Sequence, residues 1–238
     1  MIGVSKVTKH FDEVQALAEV NLDIATGEFI SIVGPSGCGK STLLRIIADL
    51  VSTDGTVKKP NKGAFVFQDS ALLPWRTVQS NVELLMELEG TENKRSKASV
   101  ALKQVGLNGF EHSYPHQLSG GMKMRLSLAR SLVLDPEYIL LDEPLSAVDE
   151  LTREVLQEEL YDMWKRDKFT AILVTHNIAE AVYLSNRVVI MSPRPGKITD
   201  IVDVSKKLKF KKRTPELRTT PQFSKVVNEI AGKLRSWK

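Results

Sequence analysis

The first part of the chain is dominated by short segments in which apolar and polar residues alternate. Such alternation covers residues 2–8 and 20–24, and residues 29–33 form a compact run, rich in apolar side chains, that ends at Gly34. These patterns predict three strands. Apolar residues then recur at helical spacing over residues 40–50, so the third strand should lead through a glycine-rich turn into a helix.

The middle of the chain, residues 78–134, changes to helical spacing of its apolar residues. Strand-like apolar runs return after it, and a helix is predicted over residues 151–166, between the first two of them. The three runs are residues 138–141, 171–174 and 187–190. Strands that alternate with helices favour a mostly parallel α/β sheet, into which the helical middle is inserted. The polar, basic end of the chain carries one further predicted helix, residues 222–234.

Composition narrows the class of protein. Of 238 residues, 42% are hydrophobic and 26% are charged, which fits one large domain or two closely joined subdomains and excludes wholesale disorder. No apolar run reaches the length of a membrane span, and the first residues show no secretory leader pattern. The single cysteine, Cys38, excludes a disulfide framework and a cysteine metal cluster. We therefore expect a soluble protein of a reducing compartment.

The net charge of +4 is concentrated near the C-terminus. The basic run there comprises Lys206, Lys207, Lys209, Lys211, Lys212 and Arg213. Such a run binds phosphates of nucleic acid or an anionic membrane in some proteins, but it is more often a solvated face or tail, and we favour that interpretation here. Because no aromatic residues are interleaved for base stacking, nucleic acid is not expected as a partner.

The turn after the third predicted strand matches G-x-x-x-x-G-K-[ST] in full, in the strand-to-helix context that this motif requires. Its residues are Gly34, Pro35, Ser36, Gly37, Cys38, Gly39, Lys40 and Ser41. Glycines let several backbone N–H groups converge on one anion, and the following helix adds its positive dipole end. Lys40 should reach the outer phosphates of a nucleotide and Ser41 should bind Mg²⁺. Cys38 has no evident base partner, so we do not expect a nucleophile.

Two further segments fit the same chemistry. Asp142 and Glu143 follow the apolar run 138–141, where a Mg²⁺ ligand and a residue that polarises the attacking water belong in a P-loop protein. Ser119, Gly120 and Gly121 begin another predicted helix, which offers a second anion-binding helix start. A nucleotide held between two surfaces explains both helix starts.

In these motifs the chain resembles the ATP-binding cassette (ABC) ATPase subunits, and the resemblance extends from residue 1 to about residue 196. The matching segments are Phe11 (adenine-stacking position), residues 34–42 (Walker A), Gln68 (Q-loop), 118–122 (signature), 138–144 (Walker B), 146–149 (D-loop) and His176 (switch histidine). The family implies an α/β fold, a P-loop NTPase (RecA-like) core with a small antiparallel β subdomain and an inserted α-helical subdomain. It implies an ATPase domain over 1–200, with core segments 1–77 and 135–200, and a basic C-terminal extension over 201–238.

The resemblance also implies the ligands and the roles of the residues. ATP and Mg²⁺ would bind between two copies of the chain arranged head to tail, so that the Walker A loop of one faces the signature motif of the other. Glu143 would be the general base, and His176, Gln68 and Lys40 would assist the reaction. Ser41, Gln68 and Asp142 would serve the metal. The nucleotide contacts would be Phe11, Gly34, Pro35, Ser36, Gly37, Cys38, Gly39, Lys40, Ser41, Thr42, Ser119, Gly120, Gly121 and Asp149.

Two segments resemble one importer group within the family. Residues 72–75 (Leu-Leu-Pro-Trp) and 192–196 (Ser-Pro-Arg-Pro-Gly) are similar to importers of nitrate, sulfonates or taurine, some of whose relatives carry other small organic molecules. The chain would then work with integral-membrane permease subunits, and indirectly with a solute-binding protein, on the cytoplasmic side of a prokaryotic plasma membrane. Trp75 would anchor the permease. A split exporter or a non-transport ABC ATPase is the alternative.

Three residues depart from the family pattern: Met124 stands where Gln is usual, Asp49 where Gly is common, and Val148 where Leu is usual. None of them removes a catalytic group. A regulatory GTPase is not favoured, because residues 61–64 (Asn-Lys-Gly-Ala) lack the Asp of a guanine-reading motif. A nucleic-acid-repair ATPase would need a long coiled-coil insertion between Walker A and the signature, and the segment there is compact. A catalytically inactive subunit would lack Glu143 or His176, and both are present.

Overall fold

Two long antiparallel strands begin the chain in the computed structural model, which describes residues 1–208 and 213–235. They are β1 (Ile2–Phe11) and β2 (Val14–Ile24), and the short β4 (Thr56–Lys58) pairs with the other edge of β1. The strands extend beyond the predicted 2–8 and 20–24. The added residues lie at the turn between β1 and β2 and do not alternate between buried and exposed, so a period-two pattern does not reveal them.

A second sheet of six strands carries the core, in the order β5-β6-β7-β3-β8-β9. Its strands are β3 (Phe29–Val33), β5 (Gly63–Val66), β6 (Tyr138–Asp142), β7 (Thr170–Val174), β8 (Arg187–Met191) and β9 (Ile198–Asp203). Neighbouring strands are parallel except for β8 and β9. Every residue of β3, β6 and β7 is buried, as expected for a sheet covered on both faces. The predicted mostly parallel α/β sheet is confirmed.

The strands β4 and β5 are absent from the sequence-based prediction. Both are short and lie at sheet edges, where each has one neighbour. Neither offers enough residues for a period-two pattern to emerge. Only glycine fits at position 63, the first residue of β5, because a Cβ there would lie 2.1 Å from the ring of Tyr138 on the adjacent strand. Packing against β6 therefore selects this strand, and no local propensity announces it.

Helix α1 (Lys40–Ile47) ends three residues before the predicted position 50. Asp49 has a left-handed backbone conformation, with φ of 60°. The N–H of Asp49 bonds to the carbonyl of Ile46 and the N–H of Leu50 to that of Arg45, which is the Schellman pattern of a helix end. Asp tolerates this conformation better than most residues, which explains how it stands in a position where the family commonly has glycine.

Three helices and one 3₁₀ turn connect β5 to β6, two neighbours in the sheet. They are α2 (Val78–Leu88), α3 (Lys94–Gln104), the turn Pro115–Gln117 and α4 (Gly120–Leu132). Their buried residues, among them Val82, Met86 and Leu102, belong to the same hydrophobic cluster as β3 and β6. The helices α5 (Glu150–Asp167) and α6 (Ile178–Leu184) follow β6 and β7.

The end of the chain differs from the predicted extension over 201–238. The boundary at residue 200 falls inside β9, which pairs with β8 as far as Asp203. After α7 (Val204–Leu208) and a 3₁₀ turn (Pro215–Thr219), helix α8 (Pro221–Arg235) covers the predicted helix 222–234. It buries Phe223, Val226 and Ile230 in the main hydrophobic cluster. The segment is thus packed against the core.

Among the described members of the predicted solvated basic run, Lys206 and Lys207 are exposed as expected, and only Arg213 requires a correction. Arg213 is partly buried, and its guanidinium donates to the carbonyls of Val182, Tyr183 and Ser185 at the end of α6. Lys206 pairs with Asp203, and Lys207 with Glu229. Three members of the run, Lys209, Lys211 and Lys212, lie outside the described residues. None of the helices in residues 1–208 and 213–235 is long and apolar enough to span a membrane.

Candidate functional site

The loop of residues 34–39 joins β3 to α1 and requires its glycines. Gly37 and Gly39 have φ of 73° and 101°, in the left-handed region. A Cβ on Gly39 would lie 2.6 Å from Leu17 Cδ2, and a Cβ on Gly34 would lie 2.8 Å from the carbonyl oxygen of Met191. The loop is therefore closely packed against Leu17 and Met191, and its backbone conformation requires residues without side chains. Such a curl at a helix start is an anion-binding geometry.

Lys40 is the first residue of α1, and only 6% of it is exposed. Its Nζ donates to the carbonyl oxygens of Gly34 and Pro35, at 3.0 and 2.9 Å. The ammonium group is thus folded against the loop whose anion it would neutralise. Burial raises the pKa of the neighbouring Cys38 thiol, against the opposing charge of Lys40. A thiol held neutral is a poor nucleophile, in keeping with the expectation for Cys38.

Ser41, in the first turn of α1, meets Asp142 at the end of β6. The strand β3, which leads into α1, is separated from β6 by β7. The Ser41 hydroxyl donates to Asp142 Oδ1 at 2.7 Å. Burial raises the pKa of Asp142, and the hydrogen bond from Ser41 opposes this shift. Hydroxyl and carboxylate oxygens side by side are ligands that suit Mg²⁺. Within the described ranges no group of three His, Cys, Asp or Glu side chains could hold a metal.

Glu143 and His176 follow β6 and β7, which are adjacent parallel strands. His176 Nδ1 lies 3.1 Å from Glu143 Oε2. The backbone at Glu143 is left-handed, with φ of 47°, and its N–H donates to the carbonyl of Val174. A non-glycine residue in this conformation is uncommon and is often found at a functional site. The strand ends therefore bring together the two residues predicted as base and switch histidine.

Glu180 on α6 lies behind this pair and was missed by the sequence analysis. Thr175, next to His176, donates its hydroxyl to Glu180 Oε2 at 2.5 Å and accepts the N–H of Asn177. The second carboxyl oxygen, Oε1, is buried without a partner among the described residues. Burial raises the pKa of Glu180 to about 7, so the protonated and the ionised carboxyl group are both populated near neutral pH.

A cavity of about 540 Å³ joins half of the predicted nucleotide contacts. It is lined by the glycine-rich loop, by Phe11 at one end and by Glu143. Phe11 is 47% exposed, so its ring is available for stacking, and Lys9 Nζ lies 5.2 Å from the ring centroid. The members of the predicted set on its lining are Phe11, Ser36, Gly37, Gly39, Lys40, Ser41, Thr42 and Glu143. Pro35 and Cys38 belong to the same loop.

The other predicted site residues lie elsewhere. A second cavity of about 540 Å³ is lined by Gln68, Gly120 and the segment after Glu143. Ser119 caps α4 and accepts the N–H of Met122, at 3.3 Å. Gly121 is required where it stands because a Cβ would lie 2.9 Å from Thr152.

Asp149 lies at the start of α5 and not on the lining of the loop cavity. It caps α5 by accepting the N–H of Thr152, at 3.0 Å. This hydrogen bond holds the pKa of Asp149 below its usual value. Gln68, the signature residues and Asp149 are thus apart from the loop cavity within one chain.

Arg194, also missed as a site residue, lines the loop cavity from the segment after β8. The parallel pairing of β8 with β3 is a signal that could have found it, because the carboxyl ends of parallel strands meet at the same edge.

Two of the residues that depart from the family pattern have a structural role. Met124 and Val148 are buried in the main hydrophobic cluster.

Comparisons with known proteins agree with this geometry. The ABC transporter family model matches residues 17–146, more than half of the chain. The chain belongs to the ABC transporter ATP-binding family, and it is an ATPase subunit. It is 45% identical to an uncharacterised ABC transporter ATP-binding protein of Methanocaldococcus jannaschii, over 98% of this chain and 91% of the relative. It is 44% identical to the aliphatic sulfonates import ATP-binding protein SsuB of Bacillus cereus, over 85% of each chain.

Solved structures show the same fold. An ATP-binding cassette determined as a dimer in a post-hydrolysis state, bound to ADP and phosphate, superposes with a TM-score of 0.75 at 34% identity. The similarity covers 86% of this chain and 99% of that structure. A second dimeric structure of a bacterial ABC transporter cassette gives a TM-score of 0.76, also at 34% identity. The predicted P-loop NTPase fold is confirmed.

Proposed function

We propose that this chain is the ATP-hydrolysing subunit of an importer that takes up a small solute through a separate permease. The observation that carries the ATP chemistry is the loop cavity, where the glycine-rich loop, Lys40 and Glu143 line one space. Ser41, on the same lining, bonds to Asp142. The importer assignment is supported by the similarity to a sulfonate import protein over most of both chains. A sulfonate, nitrate or taurine-like anion, or another small organic molecule, is the solute class.

The reaction follows from the positions of these side chains. Backbone N–H groups of the loop and Lys40 Nζ bind the phosphates, and Phe11 stacks on the adenine. Ser41 Oγ and Asp142 would hold Mg²⁺. Gln68 lies apart from the loop cavity here and would reach the ion only by moving toward it. The ion, when bound, neutralises phosphate charge. Glu143 accepts a proton from water at its carboxylate while the water oxygen attacks the γ-phosphorus and the bond to the β-phosphate oxygen breaks. ADP and phosphate leave.

His176 and the signature residues complete the site in different ways. His176 Nδ1, 3.1 Å from Glu143 Oε2, orients this carboxylate and brings an imidazole to the γ-phosphate region. Ser119, Gly120, Gly121 and Asp149 lie apart from the loop cavity in one chain, so we propose that a second copy supplies them head to tail. The dimeric cassettes of the same fold support this arrangement. Closing the site by association would couple hydrolysis to motion.

The helices between 78 and 134 form, in this proposal, the subdomain that meets the permease on the cytoplasmic face of the membrane. A groove of about 480 Å³ lies between them and the strand β5. It is lined by Phe67 and Ala71, on either side of Gln68, and by Leu84 and Leu85 of α2. Movement at Gln68 would reach a segment bound in this groove within a few residues.

Trp75 lies on a turn, four residues after Ala71, and does not line this groove. It is 72% exposed, whereas Leu72 packs on the hydrophobic cluster. The fully buried Asn81 holds the turn by bonding to the N–H and carbonyl of Leu73 and to the carbonyl of Arg76. A large aromatic side chain presented on a fixed turn is a common anchor in protein interfaces.

The test is assembly and transport by the intact complex. The chain is co-expressed with each nitrate-, sulfonate- or taurine-type permease of its source genome, and uptake of labelled nitrate, ethanesulfonate or taurine is measured in reconstituted vesicles. We expect Trp75→Ser to reduce co-purification and uptake at least about tenfold, as for an interface anchor, with the basal ATPase of the isolated subunit within about twofold of the parent.

Val100→Ser is the matched control, since Val100 is an exposed apolar residue of α3, and it should assemble as the parent does. Undiminished assembly of Trp75→Ser would remove Trp75 as an anchor. A parent chain that joins none of these permeases and drives no uptake would overturn the importer assignment.

A further inference from the structure

The turn between β8 and β9, residues 192–197, is held rigidly by its own hydrogen bonds. The N–H of Ser192 bonds to the carbonyl of Lys197, and the N–H of Lys197 bonds back to the hydroxyl of Ser192, at 2.9 and 3.0 Å. The oxygen of that hydroxyl lies 3.0 Å from the carbonyl oxygen of Pro193 and 3.2 Å from that of Pro195, and its single proton is donated to one of them or shared. The 192–197 turn therefore presents the exposed side chain of Arg194 from a fixed backbone.

This turn is packed directly against the glycine-rich loop. A Cβ on Gly196 would lie 2.0 Å from the carbonyl oxygen of Cys38, so only glycine allows the approach. The backbone of Gly196 also bonds to Ala16 and Ala18 of β2, at 2.9 and 3.1 Å. The 192–197 turn thus links the small antiparallel sheet to the loop, and its position relative to the loop is set by backbone contacts on both sides.

Arg194 extends from this turn to the outer side of the loop. Its Nε and Nη2 both donate to the carbonyl oxygen of Gly37, at 3.2 and 3.1 Å. These bonds engage two of the five N–H groups of the guanidinium, and the other three form no hydrogen bond with the described residues. The side chain is exposed and lines the same cavity as Phe11, Lys40 and Glu143.

The two cations that line the cavity differ in how many of their N–H donors are already used. Lys40 and Arg194 are the two cations on its lining, and Asp12 and Glu143 are the two acids. Lys40 already donates to two carbonyls of the loop, while Arg194 is bonded to one carbonyl and has donors left. A planar guanidinium with free donors beside a phosphate-binding loop is suited to a phosphate oxygen.

We propose that Arg194 is a second cationic ligand for the nucleotide: it fixes the loop through Gly37 and donates its free N–H groups to a phosphate of bound ATP. This inference rests on the ATP site of the proposed function and adds to it a contact from outside the loop. The fixed 192–197 turn places the guanidinium before the nucleotide arrives, so little side-chain freedom is lost on binding.

Calorimetric titration of ATP with Mg²⁺ tests the proposal, at a protein concentration where sizing shows monomer. Arg194→Ala should weaken binding by about tenfold or more, because a charge-assisted hydrogen bond is lost. Arg194→Lys keeps the charge without the fork and should fall between. Lys197→Ala, an exposed cation of the same turn, should bind within twofold of the parent. Raising salt should reduce the affinity of the parent more than that of Arg194→Ala.

The possible results distinguish a failure of the role of Arg194 from a failure of the ATP site itself. Binding by Arg194→Ala within twofold of the parent, while Lys40→Ala loses binding, overturns the role of Arg194 and leaves the ATP site standing. A loss confined to dimer formation, with monomer affinity unchanged, also overturns it in favour of a contact to the second copy. A parent chain that binds no ATP, or a Lys40→Ala variant that binds as well as the parent, overturns the proposed site itself.

Discussion

At the residue scale, Glu180 shows how a buried group can serve an exposed site. Its carboxyl group holds the hydroxyl of Thr175, and Thr175 holds the N–H of Asn177, so the backbone is fixed on both sides of His176. The charged groups that face Glu180 are Arg153 of α5, His176 and Glu143. Burial outweighs the attraction of Arg153 and His176, and the pKa of Glu180 rises to about 7.

This shift makes stability depend on pH in a defined direction. The ordinary pKa of the side chain is 4.5, so between 4.5 and about 7 the unfolded chain releases a proton that the folded chain keeps. The contribution of Glu180 to the free energy of unfolding is therefore greatest at low pH, falls as pH rises through this window and is constant above it. The total change is about 3 kcal/mol.

Glu180→Gln should remove this dependence, because an amide oxygen accepts from Thr175 without titrating. Urea unfolding at pH 5 and pH 8 should show the variant gaining about 2–3 kcal/mol over the parent between the two conditions. Glu92→Gln, at an exposed position, should run parallel to the parent. A difference between Glu180→Gln and the parent that stays constant from pH 5 to pH 8 would show that Glu180 does not titrate as stated.

At the scale of elements, the sequence reveals those whose pattern is complete within the element itself. The strands β3, β6 and β7 are buried on both faces and are apolar almost throughout, and the glycine-rich loop lies between a strand and a helix as its motif requires. The ends of elements and the edge strands are set by contacts elsewhere. The strand β5 depends on the ring of Tyr138, and α1 ends through the backbone of Asp49.

The C-terminal segment differs most from its prediction, since nothing in a basic run indicates that it binds the end of α6. Arg213 bonds to three carbonyls at the end of α6, the helix that begins two residues after His176. Arg218 lies over the ring of Tyr183 in the same helix, with its Cζ 3.7 Å from the ring centroid. Cations at a helix C-terminus stabilise it. The segment therefore holds α6 from the side opposite the site.

Arg213→Ala should lower the free energy of unfolding by about 1–3 kcal/mol, because several buried carbonyls lose their donor. Chemical denaturation with a helical signal measures this loss. Arg166→Ala is the control: Arg166 is an exposed arginine that pairs with its neighbour Asp167, and its removal should change stability by less than about 0.5 kcal/mol. If both variants match the parent, the basic segment does not clamp α6.

At the scale of the whole molecule, the predicted site residues are divided between two surfaces. Motif spacing was enough to predict the loop and the strand-end acids, because β-strand ends place them together. The direct hydrogen bond between Ser41 and Asp142 was not predicted. The sequence also predicts Ser119 at the start of its helix, but it did not show that Asp149 would cap α5. Arg194 was missed because its relation to Gly37 exists only once β8 lies beside β3.

The central claim is that two copies complete each ATP site and that Glu143 is the base. Glu143→Gln keeps the size of the side chain and removes the base, so ATP should bind, hydrolysis should fall by at least about a hundredfold, and the closed dimer should accumulate. Light scattering on a sizing column, with and without ATP and Mg²⁺, measures this directly, with Glu92→Gln as the control that hydrolyses ATP like the parent. The account predicts an ATP-dependent doubling of mass for Glu143→Gln. A variant that remains monomeric with ATP bound, or hydrolyses ATP at the parent rate, would contradict it.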